Sequence, residues 1–326
     1  MVQLTWAAFR ANASHLREHG STITALLPLF RHSANTTAMI KHGLVVVQRL
    51  VHHLNTAQTP VVMFDQPLYA LAKQIQWHWL VSFGEDKFVI LLGGLHIEMA
   101  TLRLLGHWLN GCGWVQSLTQ AGVATSGVAE SFINATHVKR TRYAHTVTAA
   151  ALYICMKQSY TLYCEQQLDN ETVDFDEWRA ECVNSSVQFR FWNTVLELEL
   201  LLLAFVRSLT EGNFTLYVDS LQQLAPWFFA LDQTNYAGWL SVHLRDMLLL
   251  QSNHSNIFKE FMVGNFTVSK SHSQFSAMSI DQAHEQLNAL LKGDGGVVGL
   301  TENDAALNRW IVATCRSRNL AFIARI

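Results

Sequence analysis

Two short apolar runs in the first third of the chain predict buried β-strands. Residues 61–65 (VVMFD) follow Pro60, and residues 88–92 (FVILL) precede a glycine pair. Continuous apolar runs that end at proline or glycine are typical of strands buried on both faces. A helical spacing of apolar residues follows each run, and strands that alternate with helices form parallel sheets. We therefore predict an α/β part over residues 1–114.

The rest of the chain has mainly helical patterning. The spacing of apolar residues is helical over 115–250, which predicts a large helical insertion. In the C-terminal part, 251–326, Ser279 and Gln282 have the spacing of a capping box and predict a helix over 280–292. We expect this helix to pack back on the sheet. The predicted fold class is α/β, predominantly helical, with a small, mostly parallel sheet.

Composition narrows the class of protein. Of 326 residues, 50% are hydrophobic and only 15% are charged, which excludes a disordered chain. The net charge of −2 gives no general attraction to nucleic acid, so a DNA contact requires a local basic face. The five cysteines have no CxxC spacing and indicate reduced thiols rather than a zinc or disulfide framework.

No segment suggests a membrane or the secretory pathway. The longest apolar run, 195–206, contains two glutamates and is shorter than the roughly 20 residues of a bilayer span. The first residues lack a basic region followed by an apolar stretch, as a secretory signal would have. We expect an intracellular protein, nuclear or cytoplasmic, that is not secreted and has no membrane partner.

Asp65 is the first candidate for chemistry. It ends a predicted buried strand, and functional side chains of open α/β sheets gather at the carboxyl ends of strands. A carboxylate there could bind Mg²⁺ together with phosphate oxygens of a substrate. The structural alternative is that Asp65, two residues before Pro67, is the N-cap of the next helix.

His96 and Glu98 follow the second predicted strand. They would lie near Asp65 if the two strands are neighbours, with His96 as an acid, base or ligand and Glu98 as a metal ligand. The alternative is that Glu98 only interacts favourably with the dipole at the start of a helix.

Asp281 and Glu285 form an acidic pair on the last predicted helix. Residues four apart share a helix face, and their repulsion of about 0.2–0.5 kcal/mol would be relieved by a metal or a cation. Both are therefore candidate metal ligands. The alternative is a solvated face, with Asp281 in the first turn where the helix dipole favours an acid.

Lys139, Arg140 and Arg142 form the most basic cluster in the chain. Cations on one helix can bind the phosphates that supply most sequence-independent affinity for DNA. The alternative is an ordinary solvated surface.

Four blocks in the chain resemble an uncharacterised family of transposon-associated domains of unknown function. The blocks occur in the same order over about residues 60–310. They are residues 64–70 (FDQPLYA), 93–99 (GGLHIEM), 136–145 (THVKRTRYAH) and 281–288 (DQAHEQLN), followed by Lys292.

The resemblance implies a ribonuclease-H-like transposase core with a large helical insertion. In such cores, carboxylates on two strand ends and a late helix hold two Mg²⁺ ions for attack on phosphate. Asp65 would be the second acid and Glu285 the third, with His96 beside them. The first acid should precede Asp65, but residues 1–64 contain only Glu18, in a loop-like stretch. We therefore expect an N-terminally truncated core that is catalytically inactive, would use Mg²⁺ only if active, and retains some DNA binding.

Two other functions fit the same residues. In a non-enzymatic helical scaffold for protein interactions, the polar positions would be caps and surface. In a metal-dependent hydrolase, they would act on another phosphoester.

Overall fold

The two apolar runs form a parallel pair of strands in the computed structural model. Strand β1 (Val61–Phe64) pairs with β2 (Val89–Leu92), so that Val61 lies opposite Val89 and Phe64 opposite Leu92. All of β2 is buried, as its unbroken apolar sequence predicts. The residues that the structure describes are 22, 35–167, 173–269, 271, 275–291 and 305. Glu18 and Lys292 lie outside them.

Helices predominate in the described chain. Those of the N-terminal half are α1 (Thr37–Leu54), α2 (Gln66–His78), α3 (Leu80–Phe83), α4 (Gly94–Leu109), α5 (Trp114–Gln120), α6 (Ser126–Phe132) and α7 (Val138–Gln166). Helix α1 begins where the side chain of Thr36 accepts a hydrogen bond from the Met39 amide, an N-cap that satisfies one orphan donor.

The C-terminal half adds further helices and a second, antiparallel strand pair. Its elements are α8 (Phe175–Ser185), α9 (Val187–Glu211), α10 (Phe214–Ala230), α11 (Thr234–Leu248), α12 (Leu250–Asn253), α13 (Ser255–Met262), β3 (Val268–Ser269), β4 (Ala277–Met278) and α14 (Ile280–Leu291). Helix α14 contacts β1. Across the described residues, no helix combines the length and apolar character that a bilayer crossing requires.

The chain divides into two compact units, each built from separate stretches of sequence. The first unit comprises residues 1–97, 207–221 and 235–326, and the second comprises 98–206 and 222–234. The strand pairs and α14 therefore belong to the first unit.

The second unit has an apolar core around Trp114. Its buried members are Leu109, Trp114, Leu118, Ala129, Phe132, Ala144 and Val195. Two polar side chains, His145 and Glu199, are also buried here. His145 stacks on the indole of Trp114, and its Nδ1 lies 2.7 Å from Oε1 of Glu199. Burial raises the pKa of Glu199 although His145 opposes this.

Candidate functional site

Asp65 is the N-cap of α2, which was the structural alternative at this position. Its Oδ1 accepts a hydrogen bond from the Leu68 amide at 3.2 Å, and its backbone is extended, as N-cap residues require. The residue directly follows β1, and the Gly93 amide after β2 donates to the Phe64 carbonyl at 2.8 Å. The carboxyl ends of the two strands therefore lie side by side, with Asp65 at this edge.

Helix α4 begins at the same edge without a capping side chain of its own. The carbonyl of Gly93 accepts from the Ile97 amide at 3.0 Å, which puts a glycine at the N-cap position. The amides that an N-cap side chain would normally satisfy belong to Leu95 and His96. Both donate instead to Asp281, at 3.1 and 3.2 Å.

Asp281 thus caps α4 from a distant part of the sequence. A Cβ at Gly93 would collide with Oδ2 of Asp281, so the absence of a side chain at residue 93 makes room for the carboxylate. The positive end of the α4 dipole adds to the attraction. Asp281 was a candidate metal ligand from the sequence. In the structure its carboxylate accepts hydrogen bonds from the first amides of α4.

His96 and Asp281 also form a side-chain pair. Nδ1 of His96 donates to Oδ2 of Asp281 at 3.0 Å, and the two side chains are 29% and 10% exposed. This hydrogen bond raises the pKa of His96 above its usual value. Burial alone would raise the pKa of Asp281, but hydrogen bonds from His96 and from the Leu95 amide help to hold it below its usual value. Both shifts favour a charged pair.

The negative charges of Asp65 and Glu285 both raise the pKa of His96. Each of their carboxylates lies close enough to His96 to raise its pKa further, after the larger effects of Asp281. The end of β1, the start of α4 and the first half of α14 thus each carry a group whose charge influences this imidazole or belongs to it. That Asp65, His96 and Glu285 share one site stays a prediction.

Glu98, a candidate metal ligand, and Arg142, a candidate DNA contact, form an ion pair with each other. They lie in the second unit, where Nε and an Nη of Arg142 donate to the two carboxylate oxygens of Glu98, each at 2.6 Å. The Glu98 side chain is only 1% exposed. Such a bidentate pair satisfies both groups, so Glu98 is engaged by a guanidinium, and Arg142 is directed inward.

Lys139 and Arg140, the other two members of the predicted basic cluster, are exposed to solvent. Both are exposed on the first turn of α7, in the second unit. The basic cluster predicted from sequence is thus reduced to these two cations, because Arg142 is committed to Glu98.

The first-unit cluster can move protons but has a limited set of ligands. No group of three or more His, Cys, Asp or Glu side chains is placed to hold a metal ion within the described residues. Asp281 already accepts three hydrogen bonds from α4, which leaves Asp65, Glu285 and the Nε2 atom of His96 for other partners. An imidazole held by a carboxylate can accept or donate a proton at its other nitrogen.

A buried tyrosine–histidine pair near this cluster escaped sequence analysis. The Tyr217 hydroxyl lies 2.8 Å from Nε2 of His243, and both side chains are inaccessible. Burial lowers the pKa of His243 to about 3, and burial followed by the charge of Asp281 raises that of Tyr217. Both groups are therefore neutral, and no motif marks them because they lie in apolar helical patterns.

The comparisons with known proteins give a family but no precedent for its chemistry. A family model described as a domain of unknown function (DUF8702) matches two overlapping stretches, residues 5–174 and 157–321. No curated protein and no solved structure matches the chain. Since the family model spans most of the sequence, the chain belongs to the DUF8702 family of domains of unknown function.

Proposed function

We propose that the chain is a transposase-derived domain that binds duplex DNA and no longer cleaves it. In this proposal the parallel strand pair, α4 and α14 are the remnant of a ribonuclease-H-like core. One observation carries it: Asp65 and Glu285, 220 positions apart in the numbering, both raise the pKa of His96 at the carboxyl edge of the strands. Such cores place a strand-end acid and an acid of a late helix at one site, and the effect of both acids on one imidazole supports that layout.

The inactivity follows from how the acids are used. Two-metal phosphoryl transfer needs carboxylates that bridge and flank both ions. Asp281 is occupied by two amides and an imidazole, and its carboxylate fills the start of α4, where a substrate phosphate could otherwise bind. Asp65 and Glu285 alone are too few for two divalent ions.

The proposed DNA contact is the start of α7. Lys139 and Arg140 project two positive charges from adjacent positions of an exposed turn. Each phosphate contact on duplex DNA contributes about 0.9 to the slope of log affinity against log salt concentration.

A nicking assay tests the loss of catalysis. We expect supercoiled plasmid to remain intact with the full chain in Mg²⁺ or Mn²⁺. Cleavage that rises with Mn²⁺ concentration and is abolished by Glu285→Ala would show that the site is active and would overturn this part of the proposal.

A binding titration tests the DNA contact. A fluorescein-labelled duplex of 20 base pairs should bind in low salt, and Lys139→Gln with Arg140→Gln should reduce the salt slope by about 1.8. Lys157→Gln is the matched control, since it removes a cation from the same helix about 26 Å further along. An unchanged slope in the double variant, or no binding by the wild type, would contradict the proposal.

One surface favours a second candidate function, a scaffold for protein interactions. Helix α7 exposes Tyr153, Ile154 and Leu162 at 46%, 54% and 56%, around a shallow depression. Exposed apolar patches of this kind mark interaction sites. If the scaffold function is correct, Ile154→Glu should abolish a protein interaction while leaving duplex binding unchanged, as shown by a pull-down compared with the DNA titration.

A further inference from the structure

One face of α1 carries all of its basic and imidazole side chains. At about 100° per residue, these positions fall within an arc of about 120°, and they extend along about 18 Å of the helix. Ile40, Leu44 and Val51, the buried residues of α1, point to a different side. The side chains of this basic stripe are Lys41, His42, Arg49, His52 and His53.

Among the described residues, the stretch of sequence that contains the basic stripe carries very little negative charge. Helix α1 has no acidic residue, and Asp65 is the only acid between residues 35 and 84. Glu85, which accepts a hydrogen bond from Nε1 of Trp77, is neutralised by Lys73 and Arg245 at 2.8 and 2.5 Å. The stripe is therefore a local basic surface on a chain whose net charge is −2.

An exposed aromatic side chain lies beside the stripe. Nζ of Lys41 is 3.0 Å from the centre of the Trp79 ring, which joins the stripe to the end of α2. The Trp79 side chain remains 44% exposed, and Leu80 and Val81 after it are more exposed still. A row of cations and imidazole N–H donors beside an exposed indole is the arrangement that binds single-stranded nucleic acid, through phosphates and a stacked base.

We infer that the basic stripe of α1 and Trp79 form a binding surface for single-stranded nucleic acid. The phosphates contact Lys41 and Arg49, the imidazoles of His52 and His53 donate hydrogen bonds to neighbouring phosphates, and a base stacks on the face of Trp79 opposite Lys41. This inference rests on the proposed function for the class of partner, and it assigns the single strand to the first unit. An anionic membrane is disfavoured, because α1 buries its apolar face inside the protein.

The test uses the full chain and a fluorescein-labelled strand of 20 thymidines, followed by fluorescence anisotropy across a salt series. Each phosphate contact on a single strand contributes about 0.7 to the salt slope, so Lys41→Gln with Arg49→Gln should reduce it by about 1.4. The control pair, Lys87→Gln with Lys259→Gln, removes two exposed cations of the first unit and should leave the slope unchanged.

Variants at the aromatic position test the stacking separately. Trp79→Leu should weaken binding about tenfold, the scale of one base–aromatic contact, while Trp79→Phe retains most of the affinity. Lys41→Arg keeps the charge over the indole and should retain wild-type binding. This conservative variant separates a loss of contact from a loss of folding.

Every outcome bears on the inference. A wild-type slope in the Lys41 and Arg49 double variant overturns it, as does binding to phosphatidylserine vesicles in the absence of binding to the thymidine strand. Duplex binding through Lys139 and Arg140 without any single-strand binding also overturns it, but leaves the proposed function intact. Single-strand binding through the stripe, with no duplex binding by the wild type, supports it while the duplex proposal fails.

Discussion

Asp281→Asn should destabilise the first unit much more than an ordinary acid-to-amide change. The carboxylate accepts from the Leu95 amide through Oδ1, and from the His96 amide and imidazole through Oδ2. The oxygen of an asparagine can replace only one carboxylate oxygen, and its NH₂ group then faces the donors at the other position. At least one hydrogen bond to a charged group is lost, at about 1.5–3 kcal/mol, and those that remain go to a neutral acceptor, so we expect a cost of about 3–4 kcal/mol.

Urea denaturation as a function of pH tests the origin of this effect. Because the folded-state pKa of Asp281 is lowered, its contribution is present above the unfolded value of about 3.9 and is lost as pH falls through the folded pKa. Because that of His96 is raised, its contribution is complete below about 6.5 and is lost as pH rises through the folded pKa. The difference in unfolding free energy between wild type and Asp281→Asn should therefore be largest between about pH 4 and 6.5.

Glu285→Gln is the matched control for this measurement. It neutralises an exposed acid one turn further along α14 and should change stability by less than about 0.5 kcal/mol. If Asp281→Asn proves equally mild, or if its cost is the same at pH 5 and at about pH 2, Asp281 does not cap α4 as an ion. An equal cost at about pH 5 and pH 8.5 would contradict only the charged pair with His96.

The other predictions concern stability and can be measured by the same denaturation assay. Arg142→Ala should cost about 3–5 kcal/mol, since it leaves the buried carboxylate of Glu98 unpaired, and the loss should shrink when Glu98→Gln is added. Gly93→Ala should cost about 2 kcal/mol, because its methyl group displaces Asp281 from the start of α4. Lys73→Met should cost about 1–2 kcal/mol, because it removes the hydrogen bonds of the ammonium to Glu85 and Asp246, while Arg245 still neutralises both acids. Wild-type stability in any of the three would contradict the corresponding contact.

Local patterns were sufficient to predict the parallel strands and the predominance of helix, but not the antiparallel pair β3–β4. The runs at 61–65 and 88–92 became β1 and β2 because unbroken apolar sequence favours a buried strand, although only β2 is fully buried and β1 is half-buried. The start of α14 and the N-cap at Asp65 also follow from neighbours within four positions, so the sequence carries them directly.

The partners of the polar side chains could not be predicted in the same way. Asp281 and Leu95 are 186 positions apart, and Glu98 and Arg142 are 44 apart. Neither pairing leaves a local signal, because a carboxylate in the first turn of a helix is already accounted for by the dipole. Gly93 was the one available indication, since a helix that begins at a glycine needs its amides satisfied by another group.

The discontinuous units explain why residues that the sequence analysis grouped together lie in different parts of the structure. His96 and Glu98 are two residues apart, yet they belong to different units. Their proximity in sequence led us to predict one site for both. In the structure, Glu98 lies in the second unit and is paired with Arg142. Periodicity along a helix indicates which face is buried, but it does not indicate which part of the molecule covers that face.

The most direct test of the account is the pKa of His96, measured by NMR titration of the imidazole resonances of the full chain and assigned with His96→Gln. If Asp65 and Glu285 meet at this side chain, Asp65→Asn and Glu285→Gln should each lower the pKa of His96. Glu260→Gln, which neutralises an exposed acid of α13, should leave it unchanged. A His96 pKa that neither Asp65→Asn nor Glu285→Gln alters would contradict the convergence of the two acids and remove the basis for the proposed origin.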